Sequence, residues 1–238
     1  MGQNEAKRAA AARAVQYVRP NTTVGLGTGS TSLIFLELLA ERNKTEKMNI
    51  RGVSTSESIA KQAREWGIPV SGNDEPFSSL DICVDGADEV DPNGELIKGG
   101  GGALLREKYV ALAANRFLVM VDKSKHVPRL GETFKLPIEI VPFGYHNTLS
   151  RLKAEGLEPH VREKNGKAFI TDNHNLIADC VLGPVKDIPE LAKRLKLLPG
   201  VVETGFFINM ADLVVTGDDA GPLREQAFGQ KRITPLPK

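Results

Sequence analysis

The sequence predicts an α/β fold, in which a doubly wound, mainly parallel sheet is joined by a smaller α+β domain. Three observations support this. Short apolar segments alternate with helical segments over the first 142 residues, which is typical of a parallel sheet covered by helices. Leu80–Val84 is a continuous apolar run, as expected of a central parallel strand. After Phe143 the pattern changes to short strands, with an Asn165-Gly166 hairpin turn between two of them.

The larger domain is predicted from the alternation of these segments. An Ala-rich helix at residues 4–19 is ended by Pro20, and a second helix opens directly after four glycines, near Ala103. The remaining predicted elements are strands at 22–26, 49–53, 68–70, 80–84, 117–121 and 136–141 and helices at 32–41 and 56–66. Residues 211–217 return to the apolar style of a parallel strand. We therefore assign residues 1–142 and 209–238 to this domain.

The smaller domain is predicted at residues 143–208. Its predicted elements are a helix at 147–155, strands at 160–164, 168–171 and 176–181, a helix at 188–197 and a strand at 201–208. The three histidines in this stretch show no ligand spacing, which indicates surface or core positions.

Composition narrows the class of protein. The 238 residues contain 31 Lys plus Arg against 30 Asp plus Glu, so bulk charge favours neither nucleic acid nor an anionic membrane. The two cysteines, Cys83 and Cys180, stand alone in apolar runs and are predicted to be buried, without a disulfide or a zinc site. An apolar run long enough for a membrane span and the apolar core of a signal peptide are both lacking, so we expect a cytoplasmic protein.

A loop at Gly27–Thr31 follows the first strand and precedes a helix. Its amides and hydroxyls, together with the helix dipole, suit a phosphate group. The spacing matches neither a Walker A loop nor a full GxGxxG motif. A tight turn in which Gly27 and Gly29 only accommodate the backbone remains the alternative.

The segment Asp85–Lys108 carries the residues on which the chemistry depends. Asp85 and Asp88 follow the central strand, Lys98 precedes four glycines, and Glu107 lies in the first part of the next helix. Glycine amides can form an oxyanion hole, Lys98 can supply positive charge, and Glu107 can act as a general base. The alternative for Glu107 is an exposed residue paired with a neighbouring Arg or Lys.

A second group of charges follows the strand at 117–121. Lys123 and Lys125 either close an anion pocket or belong to a solvated charge run. A carboxylate base, oxyanion donors and a phosphate loop together predict proton abstraction beside the carbonyl of a sugar phosphate. Aldose–ketose isomerisation through an enediolate fits these groups, and we expect no metal and no cofactor.

Five motifs are similar to those of type A ribose-5-phosphate isomerases. They are GLGTGST at 25–31, VDGADEVD at 84–91, KGGGGALLREK at 98–108, SK at 124–125 and LPGVVETGFF at 198–207. The resemblance implies interconversion of D-ribose 5-phosphate and D-ribulose 5-phosphate, a Rossmann-like domain with a ferredoxin-like α+β domain, and a homo-oligomer (dimer or tetramer). The INMADLVV segment and the polar, Pro-containing C-terminus depart from the pattern of some members.

The resemblance also implies roles for individual residues. Glu107 matches the base that moves the proton between C1 and C2, and Asp85 is the candidate for ring opening. Asp88 and Lys98 match groups that hold the sugar hydroxyls and stabilise the enediolate. The residues expected to contact substrate are Lys7, Thr28, Gly29, Ser30, Thr31, Asp85, Gly86, Ala87, Asp88, Lys98, Gly99, Gly100, Gly101 and Lys125.

Two other functions are compatible with a doubly wound domain. A sugar-phosphate-sensing regulator would need a DNA-binding module, and neither a helix-turn-helix before residue 20 nor a basic stripe is present. An acyl-CoA transferase would use a glutamate as the nucleophile and form a covalent CoA adduct on it. The residues themselves favour the isomerase.

Overall fold

The computed structural model describes residues 2–72, 75–77, 79–218 and 223–228, and the chain folds as two units. The first unit comprises Met1–Ala87, Arg106–Lys125 and Asn209–Lys238, and the second comprises Asp88–Leu105 and His126–Ile208.

The helices and strands are numbered along the chain. The helices are α1 (Gly2–Val15), α2 (Ser30–Glu46), α3 (Glu57–Glu65), α4 (Leu104–Ala113), α5 (Tyr145–Ala154) and α6 (Ile188–Lys196). The strands are β1 (Thr23–Leu26), β2 (Arg51–Ser54), β3 (Ile82–Gly86), β4 (Glu89–Val90), β5 (Leu96–Ile97), β6 (Phe117–Asp122), β7 (Leu136–Ile140), β8 (Glu158–Val161), β9 (Glu163–Lys164), β10 (Lys167–Ala168), β11 (Leu176–Val181), β12 (Val201–Thr204), β13 (Phe206–Phe207), β14 (Leu213–Gly217) and β15 (Arg224–Ala227).

A six-stranded sheet forms the centre of the first unit. Its strand order is β15-β14-β6-β3-β1-β2, and every neighbouring pair is parallel except β14 with β15. All six residues of β6 are buried, as a continuous apolar strand between two helical layers should be. The predicted doubly wound, mainly parallel sheet is thereby confirmed. The register sets Leu26 beside Val84 and Gly86 beside Met120, so the loops after β1, β3 and β6 leave one edge of the sheet.

Helix α1 packs on the first unit through small side chains. Its buried face includes Ala6, Ala10, Ala11 and Ala14, and the helix contacts α2, β6 and β14. A Cβ atom on Gly217, the last residue of β14, would lie 1.9 Å from the carbonyl oxygen of Ala6. Only glycine therefore allows this close approach between the helix and the strand.

The second unit contains antiparallel sheets. The larger one has the order β12-β7-β11-β8 and carries α5 and α6, with Leu136, Ile138 and Leu195 in its core. A smaller sheet has the order β13-β5-β4. Strands β9 and β10 form a hairpin whose turn residues, Asn165 and Gly166, both have positive φ, as the Asn-Gly dipeptide predicted.

The predicted and observed assignments differ over four segments. We expected residues 136–141 in the larger domain, whereas β7 pairs with β11 and β12 in the second unit. Residues 88–105 also belong to the second unit, because β4 and β5 pair with each other and β5 pairs with β13. The strand predicted at 68–70 is reduced to a single bridge between Val70 and Gly52. Strand β15 was not predicted, and the C-terminal residues 229–238 lie outside the described residues.

Candidate active site

The loop after β1 is tied to the end of β3 through Asp85. The Asp85 side chain is 0% exposed, and its Oδ1 atom accepts hydrogen bonds from the Thr28 amide (3.0 Å), the Ser32 hydroxyl (2.9 Å) and the Gly86 amide (2.8 Å). A Cβ on Gly27 would lie 2.0 Å from the same oxygen, so glycine is required there by close approach. Asp85 therefore holds the shape of the loop, in addition to the ring-opening role predicted for it.

The loop leads directly into the N-terminus of a long helix. Gly29 is the N-cap of α2 and has a φ of 120°. Because glycine has no side chain, α2 has no side-chain capping hydrogen bond from its N-cap. The amides of the first turn are therefore uncapped by a side chain, which suits an anion. The Thr28 hydroxyl is held by Thr55 (2.7 Å) and Ser56 (2.9 Å). Gly29 and Ser30 are exposed, and Thr31 is half-buried in the first turn.

Lys7 reaches this loop from α1. Its ammonium donates to the Ser30 hydroxyl at 3.1 Å, so the structure brings together two of the residues predicted to contact substrate. One turn earlier on the same helix, the Gln3 amide donates to Asp122 at 3.4 Å. Helix α1 therefore connects the loop after β1 with the end of β6.

The two lysines after β6 have different environments. Lys123 is exposed and pairs with Asp218 at 2.9 Å, which fits the solvated alternative. Lys125 is half-buried and acts electrostatically on Asp122. Burial pushes the pKa of Asp122 upward, but hydrogen bonds from Ser124 and Gln3, with the charge of Lys125, bring the pKa below its ordinary value. Asp122 is therefore a buried anion facing Lys125.

Glu107 lies in the first turn of α4 and is 2% exposed. The alternative of an exposed glutamate is therefore wrong. The neighbouring Arg106 takes the outward role, since its guanidinium pairs with Glu57 at 2.8 Å. A carboxylate withdrawn from bulk water near the start of a helix has the environment of a catalytic base.

The glycine run in the second unit is a closed turn. The Gly102 amide donates to the Gly99 carbonyl at 2.9 Å, and both residues have positive φ (104° for Gly99 and 85° for Gly102). The Gly100 amide donates to Asp88 Oδ2 at 2.7 Å. Asp88 is itself half-buried, and its backbone amide is held by Ile97 at 2.8 Å. The structure therefore brings together Asp88 and Gly100, both of which were predicted to contact substrate.

Lys98 precedes the run and is 2% exposed. Its ammonium lies 5.4 Å from the centre of the Phe207 ring, and its backbone amide donates to Gly205 at 2.9 Å. The ammonium therefore lies over an aromatic face in a medium of low polarity, where a charge acts strongly.

The other acidic residues of the 85–91 segment are structural. Glu89 is 0% exposed and accepts hydrogen bonds from the amides of Gly131, Thr133 and Phe134 and from the Thr133 hydroxyl. Asp91 closes the β4–β5 turn through Asn93 and Glu95. Glu89 and Asp91 therefore have structural roles.

Across the described ranges, the structure contains no cluster of three or more His, Cys, Asp or Glu side chains that would hold a metal ion. Both cysteines are buried, as predicted, and burial with the charge of Asp179 raises the pKa of the Cys180 thiol to about 12. None of the described helices is long and apolar enough to span a membrane.

Three residues that contact predicted site residues escaped sequence reasoning. Thr55 and Ser56 hold Thr28, and the Ser-Thr-Ser-Glu-Ser stretch offered only a helix-capping signal. Arg162 donates to the carbonyls of Gly99 and Gly100. The sequence around it predicted only a strand at 160–164.

Known proteins resemble this chain over nearly its whole length. The family model for ribose 5-phosphate isomerase A (phosphoriboisomerase A) matches residues 51–221. A ribose-5-phosphate isomerase A of Rhodopseudomonas palustris (strain TIE-1) is 48% identical over 222 residues, covering 90% of this chain and 94% of the relative.

Solved structures agree with the sequence comparison. The ribose 5-phosphate isomerase from Plasmodium falciparum is 39% identical with a TM-score of 0.89, and the match covers 93% of this chain and 97% of that one. A D-ribose-5-phosphate isomerase solved in complex with phospho-erythronic acid is 36% identical with a TM-score of 0.90, and the match covers 95% of this chain and 100% of that one.

Proposed function

The chain belongs to the ribose 5-phosphate isomerase A family, and we propose that it interconverts D-ribose 5-phosphate and D-ribulose 5-phosphate with Glu107 as the general base. The relatives carry the reaction in their names, and the agreement extends over at least 90% of this chain. This comparison favours an isomerase over the regulator and the CoA transferase considered from the sequence. The reaction belongs to the non-oxidative pentose phosphate pathway.

One structural relative supports the intermediate. It was solved with phospho-erythronic acid, a phosphorylated sugar acid. The carboxylate of such a molecule spreads negative charge over two oxygens, as an enediolate does. We therefore place an enediolate between the aldose and the ketose.

The phosphate end of the substrate is assigned to the loop after β1. Thr28, Gly29, Ser30 and Thr31 provide amides and hydroxyls at the start of α2, and Lys7 already contacts Ser30. Lys125 is the second cation assigned to the phosphate. A dianion is favoured by helix-terminal amides and by both lysines.

The reacting carbons are assigned to Glu107, Lys98 and the glycine run. Glu107 takes the proton from C2 of the aldose and returns it to C1. The O2 hydroxyl proton passes to O1, so the isomerisation is completed without net gain or loss of protons. Lys98 and the glycine amides stabilise the negative oxygen of the enediolate. Asp88 holds sugar hydroxyls, with Gly86 and Ala87 beside it in the chain, and Asp85 assists the opening of the furanose ring.

The burial of Glu107 is the observation that carries the assignment of the base. A glutamate that is 2% exposed in the first turn of a helix serves either packing or chemistry, and charged side chains are rarely buried without a purpose. The adjacent residue Arg106 points outward and forms an ion pair with Glu57, whereas Glu107 is buried.

Turnover of D-ribose 5-phosphate by purified protein tests the proposal, with Glu107→Gln as the variant. Gln keeps the size of the side chain and removes its basicity, so kcat should fall about 10²–10⁴-fold while KM changes less than about threefold. Glu89→Gln is the matched control, because Glu89 is also buried but holds only the residues 131–134 loop. We expect Glu89→Gln to lower stability and to keep kcat. Near-normal turnover by Glu107→Gln would exclude Glu107 as the base.

A cytoplasmic homo-oligomer is the remaining part of the proposal. In the second unit, Phe143 is 93% exposed and Leu197 is 81% exposed, which is apolar surface of the kind that subunit contacts cover. Sedimentation of the purified protein would decide between a monomer, a dimer and a tetramer.

A further inference from the structure

Arg162, which follows β8, contacts the glycine run directly. Its Nη1 atom donates to the Gly99 carbonyl at 3.0 Å and to the Gly100 carbonyl at 3.0 Å. One guanidinium nitrogen therefore holds two successive carbonyl oxygens.

These contacts determine where the amides of the run point. In a trans peptide the C=O and N–H bonds point in opposite directions. The Gly99 carbonyl shares its peptide with the Gly100 amide, and the Gly100 carbonyl shares its peptide with the Gly101 amide. Because both carbonyls point towards Arg162, both amides point away from it. The Gly100 amide indeed reaches Asp88, at 2.7 Å.

The amides of the run then differ in their availability. Gly100 donates to Asp88, and Gly102 donates to the Gly99 carbonyl at 2.9 Å. Gly101 is exposed, and its amide finds no acceptor within the described part of the chain. Gly99 is buried, so the Gly101 amide is the exposed donor of the run that is open to a substrate oxygen.

Arg162 is itself fixed on two sides. Asp179 accepts from Nε at 2.8 Å and from Nη2 at 2.5 Å, a bidentate pair whose side chains are 15% and 21% exposed. The guanidinium also lies 5.9 Å from the centre of the Phe169 ring. Phe169 packs against Gly102, where a Cβ would lie 2.4 Å from its ring. Arg162 and Phe169 therefore hold opposite ends of the same turn.

We propose that Arg162 is a positioning residue, which orients the Gly101 amide so that it stabilises the enediolate oxygen. Arg162 itself does not touch substrate. The inference rests on the proposed isomerase function. It adds that Arg162 contributes by fixing the direction of the Gly100–Gly101 peptide group. Asp179 supports it by holding the guanidinium fork in place.

Steady-state kinetics of Arg162→Ala tests the proposal, with D-ribose 5-phosphate as substrate and phospho-erythronic acid as the inhibitor. Arg194→Ala is the matched control, because Arg194 forms a comparable pair with Glu155 (2.9 Å) in the same unit. For Arg162→Ala we expect kcat to fall about 10–100-fold, less than the loss of a whole oxyanion donor, and KM to change less than about threefold. The inhibition constant of phospho-erythronic acid should rise as kcat/KM falls.

A second measurement separates positioning from stability. A groove of about 390 Å³ lined by Arg162, Asp179 and Gly100 gives small ions access to the position of the guanidinium. Guanidinium ion at low millimolar concentration should restore part of the kcat of Arg162→Ala and leave Arg194→Ala unchanged. Arg162→Lys should lose less kcat than Arg162→Ala, since one ammonium reaches some of the same acceptors.

The outcomes distinguish this inference from the function on which it rests. Wild-type protein without isomerase activity would refute the proposed function. Active wild-type protein together with Arg162→Ala at wild-type kcat would refute only the role of Arg162. A folded Arg162→Ala protein in which KM rises and kcat is kept would also refute it. If Arg162→Ala does not fold, the kcat of Arg162→Lys decides, and a value within twofold of wild type would refute the role.

Discussion

The two glycine loops of this protein look alike in sequence and differ in structure. Both the loop at Gly27–Thr31 and the run at Gly99–Gly102 follow a strand and precede a helix. The first passes straight into α2 at Ser30. The second closes on itself through the Gly102–Gly99 hydrogen bond, and α4 begins only at Leu104.

This difference indicates two ways of binding negative charge. In the first loop the donors belong to the end of a long helix, whose dipole favours a full charge such as phosphate. In the second loop the donors are peptide groups whose directions are fixed by Asp88 and Arg162. A small number of rigid donors suits charge that develops on one oxygen during a reaction. The first loop should therefore govern binding and the second should govern rate.

Substituting Gly102 should produce the largest effect and should fall on the rate. In Gly102→Ala the positive φ of 85° is strained, and the new Cβ meets the Phe169 ring at 2.4 Å, so the turn must shift. We expect kcat to fall about 100-fold, as when an oxyanion donor is misplaced, with little change in KM. Steady-state kinetics of the purified variant measures both.

Gly166→Ala provides the control for backbone strain. Gly166 has a φ of 73° and lies in the β9–β10 turn, with nothing within 4 Å of an added Cβ. This variant should lose about 1–2 kcal/mol of stability and keep its kcat. Equal losses of kcat in both variants would mean that the glycine run has only a structural role.

Removing the cation that contacts the first loop should change binding instead. In Lys7→Ala the ammonium that contacts Ser30 is lost, and the KM for D-ribose 5-phosphate should rise about 10–100-fold, as expected for a charge-assisted hydrogen bond of ~1.5–3 kcal/mol. Lys123→Ala removes an exposed lysine that pairs with Asp218 and should alter KM less than about twofold. A loss of kcat at constant KM in Lys7→Ala would contradict the division of roles between the two loops.

The smallest effect concerns Asp122, which faces Lys125 at the end of β6. Because its pKa is lower in the folded state than the ordinary value of 3.8, its contribution to stability is present above that value and is lost as the pH falls through the folded pKa. Asp122→Asn should therefore be less stable than wild type at pH 7, and the difference should shrink below about pH 4. Urea unfolding at both pH values measures this difference.

Ser124→Ala tests the origin of that lowered pKa. It removes the hydroxyl donor to Asp122 and keeps the Ser124 amide, which donates to the same oxygen at 2.9 Å. Its pH dependence should lie between those of wild type and Asp122→Asn. A difference between wild type and Asp122→Asn that grows towards low pH would contradict the lowered pKa.

The fold was predictable where long apolar segments set the pattern. The runs at β3 and β6 are continuous, and their burial follows from that alone. Strands β4 and β5 have two residues each, too few for a period, and neither strand was predicted. Strand β7 shows why pairing was harder to predict: an apolar run indicates burial, and it does not identify its neighbour or its direction.

The candidate site was predictable where residue types and spacing act together. Asp85, Asp88, Lys98 and Glu107 lie in one short segment with four glycines, and the structure buries three of them. Arg162 stands about 60 residues away from the glycines it contacts, and nothing in its neighbourhood reveals them. A positioning residue of this kind acts through backbone carbonyls, so its partners carry no side-chain signature.

The contact between α1 and β14 has a consequence for folding during synthesis on the ribosome. Helix α1, which carries Lys7, is made first, while Gly217, against which Ala6 packs, is made about 200 residues later. At a translation rate of 5–20 residues per second, β14 is synthesised roughly 10–40 s after α1. Nascent chains that stop short of β14 lack this contact, so we expect them to be less stable than the finished chain.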